Sequence, residues 1–169
     1  MPSPIVVVEY DPDWPERFRL LCDRIGHVLA ELVAAIEHIG STAVPALSAK
    51  PVIDIDVLLA SESFLSEAIR RLAGLGYRHE GDLGIAGREA FTAPQDEPPH
   101  HLYVCLPDRQ GFARHLAFRD YLRANPWEAQ HYGELKKQLA QRFPDNRSAY
   151  AAGKSDVVEK LTSRALRGR

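Results

Sequence analysis

The sequence is poor in the residues that stabilise small secreted domains and zinc-binding domains. Its 169 residues include only two cysteines, Cys22 and Cys105, which lie far apart and form no Cys-x-x-Cys pair. Disulfide frameworks and zinc knuckles need more cysteines at closer spacing, so neither is expected. This cysteine usage fits a reduced, cytoplasmic protein.

Long apolar runs and targeting signals are also missing. No apolar run approaches the roughly 20 residues that a membrane-spanning helix needs. The N-terminal segment MPSPIVVVEYD has no positively charged region and only four consecutive apolar residues. That is not the pattern of a signal peptide, and we expect no membrane partner.

What is present is the composition of a globular protein, with 45% hydrophobic and 26% charged residues. The length favours one domain over residues 1–169. The net charge of −2 hides an asymmetry, because residues 1–106 carry 8 Lys/Arg and 16 Asp/Glu whereas residues 107–169 carry 13 and 7. The acidic and the basic part could form the two walls of a cleft, one that binds a metal ion and one that binds phosphate. The alternative is that these charges lie on ordinary solvated surface.

The order of predicted elements is that of an α+β fold. An apolar stripe at helical spacing predicts a helix from Asp13 to about Leu32. A second helix is predicted with Ser61 or Ser63 as its cap, and later helices over 112–124, 126–143 and 147–167. Strands are predicted at 5–8, 36–39, 77–80, 88–92 and 101–106, and in the apolar run around residues 54–56. The connection over residues 40–50 is too short for a crossover helix, which favours antiparallel pairing of the strands beside it.

Two aspartates stand in that apolar run, at Asp54 and Asp56. Residues two apart on a strand share a face, and two carboxylates side by side are costly to keep charged. A divalent cation or a basic neighbour would remove this cost, and hard oxygen ligands suit Mg²⁺ that bridges substrate phosphates. The alternative is a strand end with solvent-facing acids.

A turn rich in small residues precedes the acidic strand. Gly40 lets the backbone approach a ligand closely, and the hydroxyls of Ser41 and Thr42 are donors for phosphate oxygens. The alternative is a plain tight turn. Lys50 either contacts a triphosphate or neutralises the acid pair, or it is a loop lysine in water.

Histidines and further basic residues complete the candidate set. If the strand that begins at His101 lies beside Asp54 and Asp56, His101 is a third metal ligand or a base. His38 and His115 are candidates for substrate binding, with a hydrogen-bonded structural histidine as the alternative for each.

Three more cations are candidates for contact with a phosphate: Arg88, Lys136 and Lys154. The string Gly153-Lys154-Ser155 is not a P-loop, because position 148 is serine and no strand precedes it. The basic second part makes nucleic acid a conceivable partner, but no motif with interleaved aromatic residues supports it.

The string HIGSTAVPALSAKPVIDIDV resembles the signature of the GrpB family, small bacterial proteins with a nucleotidyltransferase-like fold. Residues 100–104, HLAFRDYLRANP (115–126) and residues 150–154 also resemble that family, so the resemblance covers nearly the whole chain. It implies a mixed, largely antiparallel sheet with helices packed on it and a C-terminal helical layer, similar to polymerase-β-type nucleotidyltransferases. The GrpB-like module also occurs fused to dephospho-CoA kinase.

In those enzymes a Gly-Ser turn holds the nucleoside triphosphate, and an Asp-x-Asp pair with a third acid on a later strand holds two Mg²⁺. On this chain Gly40-Ser41 match the turn and Asp54 and Asp56 match the pair. The later strand offers His101 and Tyr103 in place of an acid, so this chain departs from the three-acid set of two-metal catalysis. The nearest acids in sequence are Glu97 and Asp108.

We therefore predict a metal-dependent nucleotidyltransferase-like protein that binds a nucleoside triphosphate or a related phosphorylated small molecule. Its predicted cofactor is Mg²⁺ or Mn²⁺. Asp54, Asp56 and His101 are the predicted catalytic residues and metal ligands. The alternative is a catalytically inactive nucleotide- or anion-binding module with the same fold. The predicted substrate-binding residues are His38, Gly40, Ser41, Thr42, Lys50, Arg88, His115, Lys136 and Lys154.

Overall fold

The computed structural model describes residues 3–107 and 110–168. The chain divides into two compact units. The sheet unit comprises Asp13–Ile39 and Val52–Ala113, and the helical unit comprises Met1–Pro12, Gly40–Pro51 and Arg114–Arg169. The expectation of one domain over residues 1–169 stays a prediction.

In the described part of the sheet unit, five strands form one mixed sheet in the order β1-β2-β5-β4-β3. β2 and β5 run parallel, whereas the other neighbouring pairs are antiparallel. The predicted mixed, largely antiparallel sheet is confirmed. The strands are β1 (Val33–Ile39), β2 (Ile53–Leu59), β3 (Arg78–Gly81), β4 (Arg88–Thr92) and β5 (His100–Cys105).

Helices α1 (Trp14–Leu29) and α2 (Leu65–Gly74) belong to the same unit. The apolar stripe of α1 packs on β1, where Phe18 stacks on His38 with ring centroids 4.7 Å apart. Asp13 occupies the N-cap position but makes no side-chain capping bond, so Pro15 is the sequence signal that marks this helix start.

Alternation along β2 separates two faces of the sheet. Ile53, Ile55, Val57 and Leu59 are at most 2% exposed and form the apolar face, onto which α1 packs. The intervening Asp54, Asp56 and Leu58 point the other way.

The helical unit contains α4 (Pro126–Arg142), α5 (Arg147–Arg167) and most of α3 (Gln110–Ala124), as predicted. Its core is built from the apolar faces of these helices and the loop 40–51; the most deeply buried members are Val44, Leu47, Leu122, Tyr132, Tyr150 and Leu161. The side chain of Asn146 caps α5 by accepting a hydrogen bond from the Ala149 N–H at 3.0 Å.

The prediction of a strand at residues 5–8 is wrong. This segment makes one isolated bridge, between Val8 and Ala49. Its neighbour, the loop 40–51, contains Pro45 and Pro51, which have no N–H to donate, so it cannot offer a continuous strand edge. Within the two described ranges, no helix combines the length and apolar character needed to cross a membrane.

Candidate functional site

The polar face of the sheet carries the predicted acid pair. Parallel pairing of β2 with β5 places Asp54 beside His101 and Asp56 beside Tyr103. We call the face that bears these four side chains the carboxylate face. Alternation along β2 and β5 places these four side chains on one side of the sheet, opposite to Ile55 and Leu102.

Asp54 and His101 are in direct contact. The Nδ1 atom of His101 lies 2.7 Å from Oδ1 of Asp54, and the two side chains are 49% and 28% exposed. With Nδ1 engaged by the carboxylate, the other ring nitrogen, Nε2, is the one available to a ligand.

Asp56 is completely buried. The Cys105 thiol donates a hydrogen bond to it, and the pKa of Cys105 is raised to about 12, chiefly by burial and next by the charge of Asp56. The interpretation of both acids as solvent-facing residues is therefore wrong for Asp56. A buried carboxylate in this position needs compensating positive charge or strong hydrogen bonding.

Arg88 supplies positive charge on the same face. In the β4–β5 register it lies across from Cys105, and its guanidinium carbon is 4.3 Å from the centre of the Tyr103 ring. The pKa of Tyr103 is raised, first by burial and then by the charge of Asp54. Arg88, predicted from the sequence as a substrate-binding residue, thus shares the carboxylate face with the acid pair.

Glu37 is an acid that the search for a third carboxylate missed. It lies on β1 directly across from Asp56 in the antiparallel register. Residues opposite one another in such a pair share a face, with Cβ atoms about 4.5–5.5 Å apart. Alternation along β1 places Glu37 on the face opposite to that of His38, whereas its pairing with Asp56 comes from the register in the structure.

The carboxylates of Asp54 and Asp56 fit a Mg²⁺ site with few protein ligands better than a site made entirely of protein side chains. Among the described residues, no group of three His, Cys, Asp or Glu side chains is arranged to hold a metal ion. Mg²⁺ commonly takes one or two protein carboxylates and completes its shell with water and substrate phosphates, which Asp54 and Asp56 match. Of the two acids near β5, Glu97 forms an ion pair with Arg24, and Asp108 lies outside the described residues.

In the helical unit, the Gly-Ser turn contains a buried lysine contact. Lys136 of α4 is 2% exposed, and its Nζ donates a hydrogen bond to Oγ of Ser41 at 2.7 Å. Gly40 has φ 73°, a conformation that glycine adopts without strain, and Ser41 begins a short 3₁₀ turn. Thr42 in this turn is buried.

Two further predicted lysines surround one aromatic ring of the same unit. The Nζ atoms of Lys50 and Lys154 lie 5.7 and 5.2 Å from the centre of the Tyr150 ring. Burial raises the pKa of Tyr150 to about 12, so the ring stays neutral and its face attracts both cations. Gly153 and Ser155 are internal residues of α5, which agrees with rejecting a P-loop.

Comparison with known proteins identifies the family. The family profile described as "GrpB protein" matches residues 4–164. The chain belongs to the GrpB family. The glutamate-rich protein GrpB of Alkalihalophilus pseudofirmus is 32% identical over 165 residues, which cover 93% of each chain. The UPF0157 protein YqkA of Bacillus subtilis is 36% identical, and the match spans 96% of this chain but only 48% of YqkA.

One further match places this GrpB-family chain in a wider context. A dephospho-CoA kinase of Mycolicibacterium paratuberculosis is 24% identical over 96% of this chain and 46% of its own length. A region similar to this chain therefore forms part of a protein named as a dephospho-CoA kinase. As with YqkA, the chain spans about half of that relative.

Solved structures show the fold. The crystal structure of the conserved protein GrpB from Enterococcus faecalis is 38% identical, with a TM-score of 0.89 over 96% of this chain and 98% of that one. The GLD-2/RNP-8 complex has a TM-score of 0.62 at 11% identity, over 91% of this chain and 61% of that one. The Cid1 poly(U) polymerase bound to MgATP has 0.51 at 13%, over 78% and 45%. The nucleotidyltransferase-like fold expected of a GrpB protein is confirmed.

The structure sorts the predicted residues of this GrpB-family chain. The sheet unit brings together Asp54, Asp56, His101 and Arg88, whereas the helical unit brings Ser41 close to Lys136. His38 lies on the apolar face, 7% exposed, and is thereby separated from the acid pair. His115 is half-buried on α3 in the helical unit.

Proposed function

We propose that the chain is a metal-dependent nucleotidyltransferase-like protein that binds a nucleoside triphosphate or a related phosphorylated small molecule. The observation that carries the proposal is the Asp54–Asp56 pair on one sheet face, with Asp56 completely buried. The solved neighbours add support, since the Cid1 structure is named for UTP selectivity and for bound MgATP.

In the sheet unit, Asp54 and Asp56 would hold Mg²⁺ or Mn²⁺, which supplies charge neutralisation for phosphate oxygens. His101 has a separate role. When its Nδ1–H donates to Asp54, its Nε2 carries a lone pair and accepts the proton of an attacking hydroxyl. Asp54 then orients the imidazole and stabilises its protonated form, as the acid of a catalytic triad does.

In the helical unit, Ser41 and Lys136 are the proposed phosphate-binding pair. A lysine ammonium has three donors, so Lys136 keeps donors in addition to the one that Ser41 accepts. Lys50 and Lys154 add two cations beside Tyr150. These groups would bind the negative charge of the triphosphate, mostly through charge-assisted hydrogen bonds.

The proposed reaction is a nucleotidyl transfer. The oxygen of an acceptor hydroxyl forms a bond to the α-phosphorus, the bond from that phosphorus to the bridging oxygen of pyrophosphate breaks, and pyrophosphate leaves. The hydroxyl proton passes to Nε2 of His101. The protein contributes positioning and preorganised charge.

Metal binding tests the carboxylate assignment. We expect Asp54→Asn and Asp56→Asn to weaken Mn²⁺ binding at least about tenfold, because each removes a charged ligand from a site that has few. Asp96→Asn is the matched control, since Asp96 is an exposed loop acid of the same unit. Equal Mn²⁺ affinity in all three variants and the wild type would contradict the assignment.

A second candidate is an inactive nucleotide- or anion-binding module with the same fold. It is favoured by the His101 and Tyr103 side chains on β5, where the resemblance to polymerase-β-type enzymes predicts an acid, and by the lack of a three-ligand group among the described residues. A screen of the four nucleoside triphosphates with Mg²⁺ or Mn²⁺, read as pyrophosphate release, separates the two. Turnover that is lost in Asp56→Asn and kept in Asp96→Asn supports the enzyme; binding without turnover supports the module.

A further inference from the structure

Arg88 of the sheet unit is a cation on the carboxylate face that the proposed function leaves unused. It begins β4 and lies across from Cys105 in the antiparallel register, so the two side chains share that face. The Arg88 N–H donates to the carbonyl of Ile85 at 3.2 Å. The carbonyl of the preceding Gly87 accepts from the Leu106 N–H at 2.9 Å. The backbone that carries this side chain is therefore held on both sides.

The Arg88 guanidinium has no acidic partner in the part of the chain that the structure describes. It makes no side-chain hydrogen bond or ion pair with those residues, and its Nε atom is enclosed without an acceptor. An enclosed N–H that donates to nothing loses its hydration without compensation, so buried donors are nearly always satisfied. Other arginines of the same unit do pair with carboxylates: Arg19, Arg24, Arg70, Arg71 and Arg78. Arg88 thus has the placement of a ligand-binding arginine and not that of one that stabilises the fold through an ion pair.

Tyr103 orients the Arg88 guanidinium. The guanidinium carbon lies 4.3 Å from the centre of the Tyr103 ring, which is a cation–π contact. A contact with a ring face uses none of the guanidinium N–H donors. Of the three guanidinium nitrogens only Nε is enclosed, so the two Nη atoms are the donors that a ligand can reach. Their parallel N–H bonds form the fork that matches two oxygens of a carboxylate or a phosphate.

The Tyr103 hydroxyl is a second donor beside this fork. It makes no hydrogen bond to any residue in the described ranges. Burial and then the charge of Asp54 raise the pKa of Tyr103, so the hydroxyl is protonated at neutral pH and can donate. Two neighbouring groups that both donate, and that both lack a protein acceptor in the described ranges, form a site for an oxyanion.

Tyr103 also connects this site to the proposed base. Residues 101 and 103 lie two apart on β5 and share the carboxylate face, and the ring centroids of His101 and Tyr103 are 6.3 Å apart. The guanidinium carbon is therefore no farther from the His101 ring centre than this distance and the 4.3 Å contact placed end to end. β5 separates β4 from β2, so the backbone at Arg88 is about 10 Å from the strand of the acid pair. One small molecule can thus reach both Arg88 and His101.

We propose that Arg88 and Tyr103 bind the anionic group of the acceptor, a small molecule with a hydroxyl at one end and a carboxylate or phosphate at the other. The Nη–H groups of Arg88 bind two oxygens of that anion, and the Tyr103 hydroxyl donates to it. The acceptor hydroxyl then lies at Nε2 of His101, which receives its proton. The role as acceptor rests on the proposed function, whereas the binding of an anion at Arg88 needs neither metal nor nucleotide.

Three probes of similar size test the charge requirement: glycerol 3-phosphate, glycerate and neutral glycerol. In EDTA and without nucleotide, we expect at least one of the two anions to bind the full chain about tenfold more tightly than glycerol, because glycerol lacks the charge that the guanidinium recognises. The anion that binds more tightly identifies the phosphate or the carboxylate as the recognised group. NMR titrations report the site through the Nε–H resonance of Arg88. No binding of either anion, an affinity equal to that of glycerol, or an Arg88 resonance that stays unshifted at saturation would each overturn the proposal.

Variants of the two donors test the assignment of residues. Arg88→Lys keeps the charge but loses the fork and is expected to weaken anion binding about tenfold, and Tyr103→Phe to weaken it several-fold. Both replacements are conservative in size, so they keep the test independent of folding. Arg78→Met is the matched control, because Arg78 is a 76% exposed arginine of the same unit and its loss should leave anion binding unchanged. Wild-type affinity in both Arg88→Lys and Tyr103→Phe, or an equal loss in Arg78→Met, would overturn the assignment.

Failure of this inference is distinguishable from failure of the proposed function. If an anion binds through Arg88 and no triphosphate releases pyrophosphate, the anion site stands and the transfer reaction does not. If pyrophosphate is released as readily with glycerol as with the anions, and Arg88→Lys leaves the KM for the acceptor unchanged, the transfer reaction stands and the acceptor assignment is overturned.

Discussion

His100 shows how a buried polar residue is kept neutral in the sheet unit. Its Nδ1–H donates to the carbonyl of Pro98 at 2.6 Å, and its Nε2 accepts from the hydroxyl of Tyr77 at 2.7 Å. This tautomer is assigned from the hydrogen-bond pattern. Burial lowers the pKa of His100, because the charged imidazolium is poorly solvated there.

This residue makes stability depend on pH. The folded-state pKa of His100 lies below its ordinary value of 6.5, so below about pH 6.5 the unfolded chain binds more protons than the folded one. Its stabilising contribution is complete above pH 6.5 and is lost as the pH falls through the folded-state pKa. Urea unfolding of the wild type and of His100→Gln across pH 5–8 gives the free energy of unfolding of each protein. The difference between the two values isolates the contribution of His100, because the other titrating groups are the same in both.

We expect the wild type to lose free energy of unfolding more steeply than His100→Gln as the pH falls from 6.5 to 5. Parallel curves for the two proteins would contradict the prediction. Tyr77→Phe supplies a second check at pH 8, since it leaves a buried ring nitrogen without its donor. Its expected cost is about 1–3 kcal/mol.

At the scale of the elements, Gly26 of α1 and Gly153 of α5 are internal helix glycines in different surroundings. A Cβ added at Gly26 of α1 would lie 3.5 Å from Cδ1 of Ile36, an ordinary contact. A Cβ at Gly153 of α5 would lie 2.5 Å from Cδ2 of Leu139, which is buried in the core of the helical unit. The same substitution therefore makes an ordinary van der Waals contact in one helix and meets a packed side chain at too short a distance in the other.

Gly26→Ala is expected to raise the free energy of unfolding by about 0.5–1 kcal/mol, the difference in helix propensity between the two residues. Gly153→Ala should gain less or lose stability, because Leu139 must move to admit the methyl group. Thermal unfolding of both variants and the wild type tests this. A larger gain at position 153 than at position 26 would show that the packing argument is wrong.

For the whole molecule, binding of the proposed ligands should raise the free energy of unfolding. A ligand that binds the folded state alone stabilises it by about 2.7 kcal/mol at one hundred times its dissociation constant. The proposal assigns the metal to the sheet unit and the phosphates to the helical unit, so each ligand should stabilise the unit that binds it.

We expect a nucleoside triphosphate with Mg²⁺ to raise the melting temperature above the value found with the nucleotide and EDTA. Asp56→Asn should lose the metal-dependent part of this rise, while Asp96→Asn keeps it. Lys136→Met should lose the nucleotide-dependent part. An identical rise with Mg²⁺ and with EDTA would contradict the metal role of the acid pair.

Local patterns in the sequence predict most elements and the facing of β2, since alternation and helical spacing follow from nearest neighbours along the chain. They predict the pairing of strands that are close in sequence, such as the antiparallel pair β1 and β2, but not of strands that are far apart. The contact of Asp54 with His101 joins residues 47 apart in the chain and depends on the parallel register of β2 and β5. Nothing in the sequence determines that register, so the prediction of this contact assumed that the two strands are neighbours. Alternation on β1 was not applied to His38 and Glu37. It places His38 on the apolar face and Glu37 on the carboxylate face, opposite Asp56.

The strand prediction at residues 5–8 failed for a related reason. β-branched residues favour extended backbone, but a strand also needs a partner edge, and the loop 40–51 offers a single bridge. The turn at Gly40-Ser41 was recognisable from residue types. Its buried contact with Lys136 was not, because it joins residues 95 apart in the chain.

The parallel pairing of β2 with β5 also determines when the carboxylate face comes into existence as the chain folds. β1 and β2 are close in sequence and meet after closing a short loop, whereas β5 must bring its residues back across α2, β3 and β4. Contacts of such long range carry a larger loop-closure cost and tend to form late. A ligand that bridges Asp54 and His101 would therefore find no site in the early folding chain, and it would stabilise the protein by slowing its unfolding and not by speeding its folding.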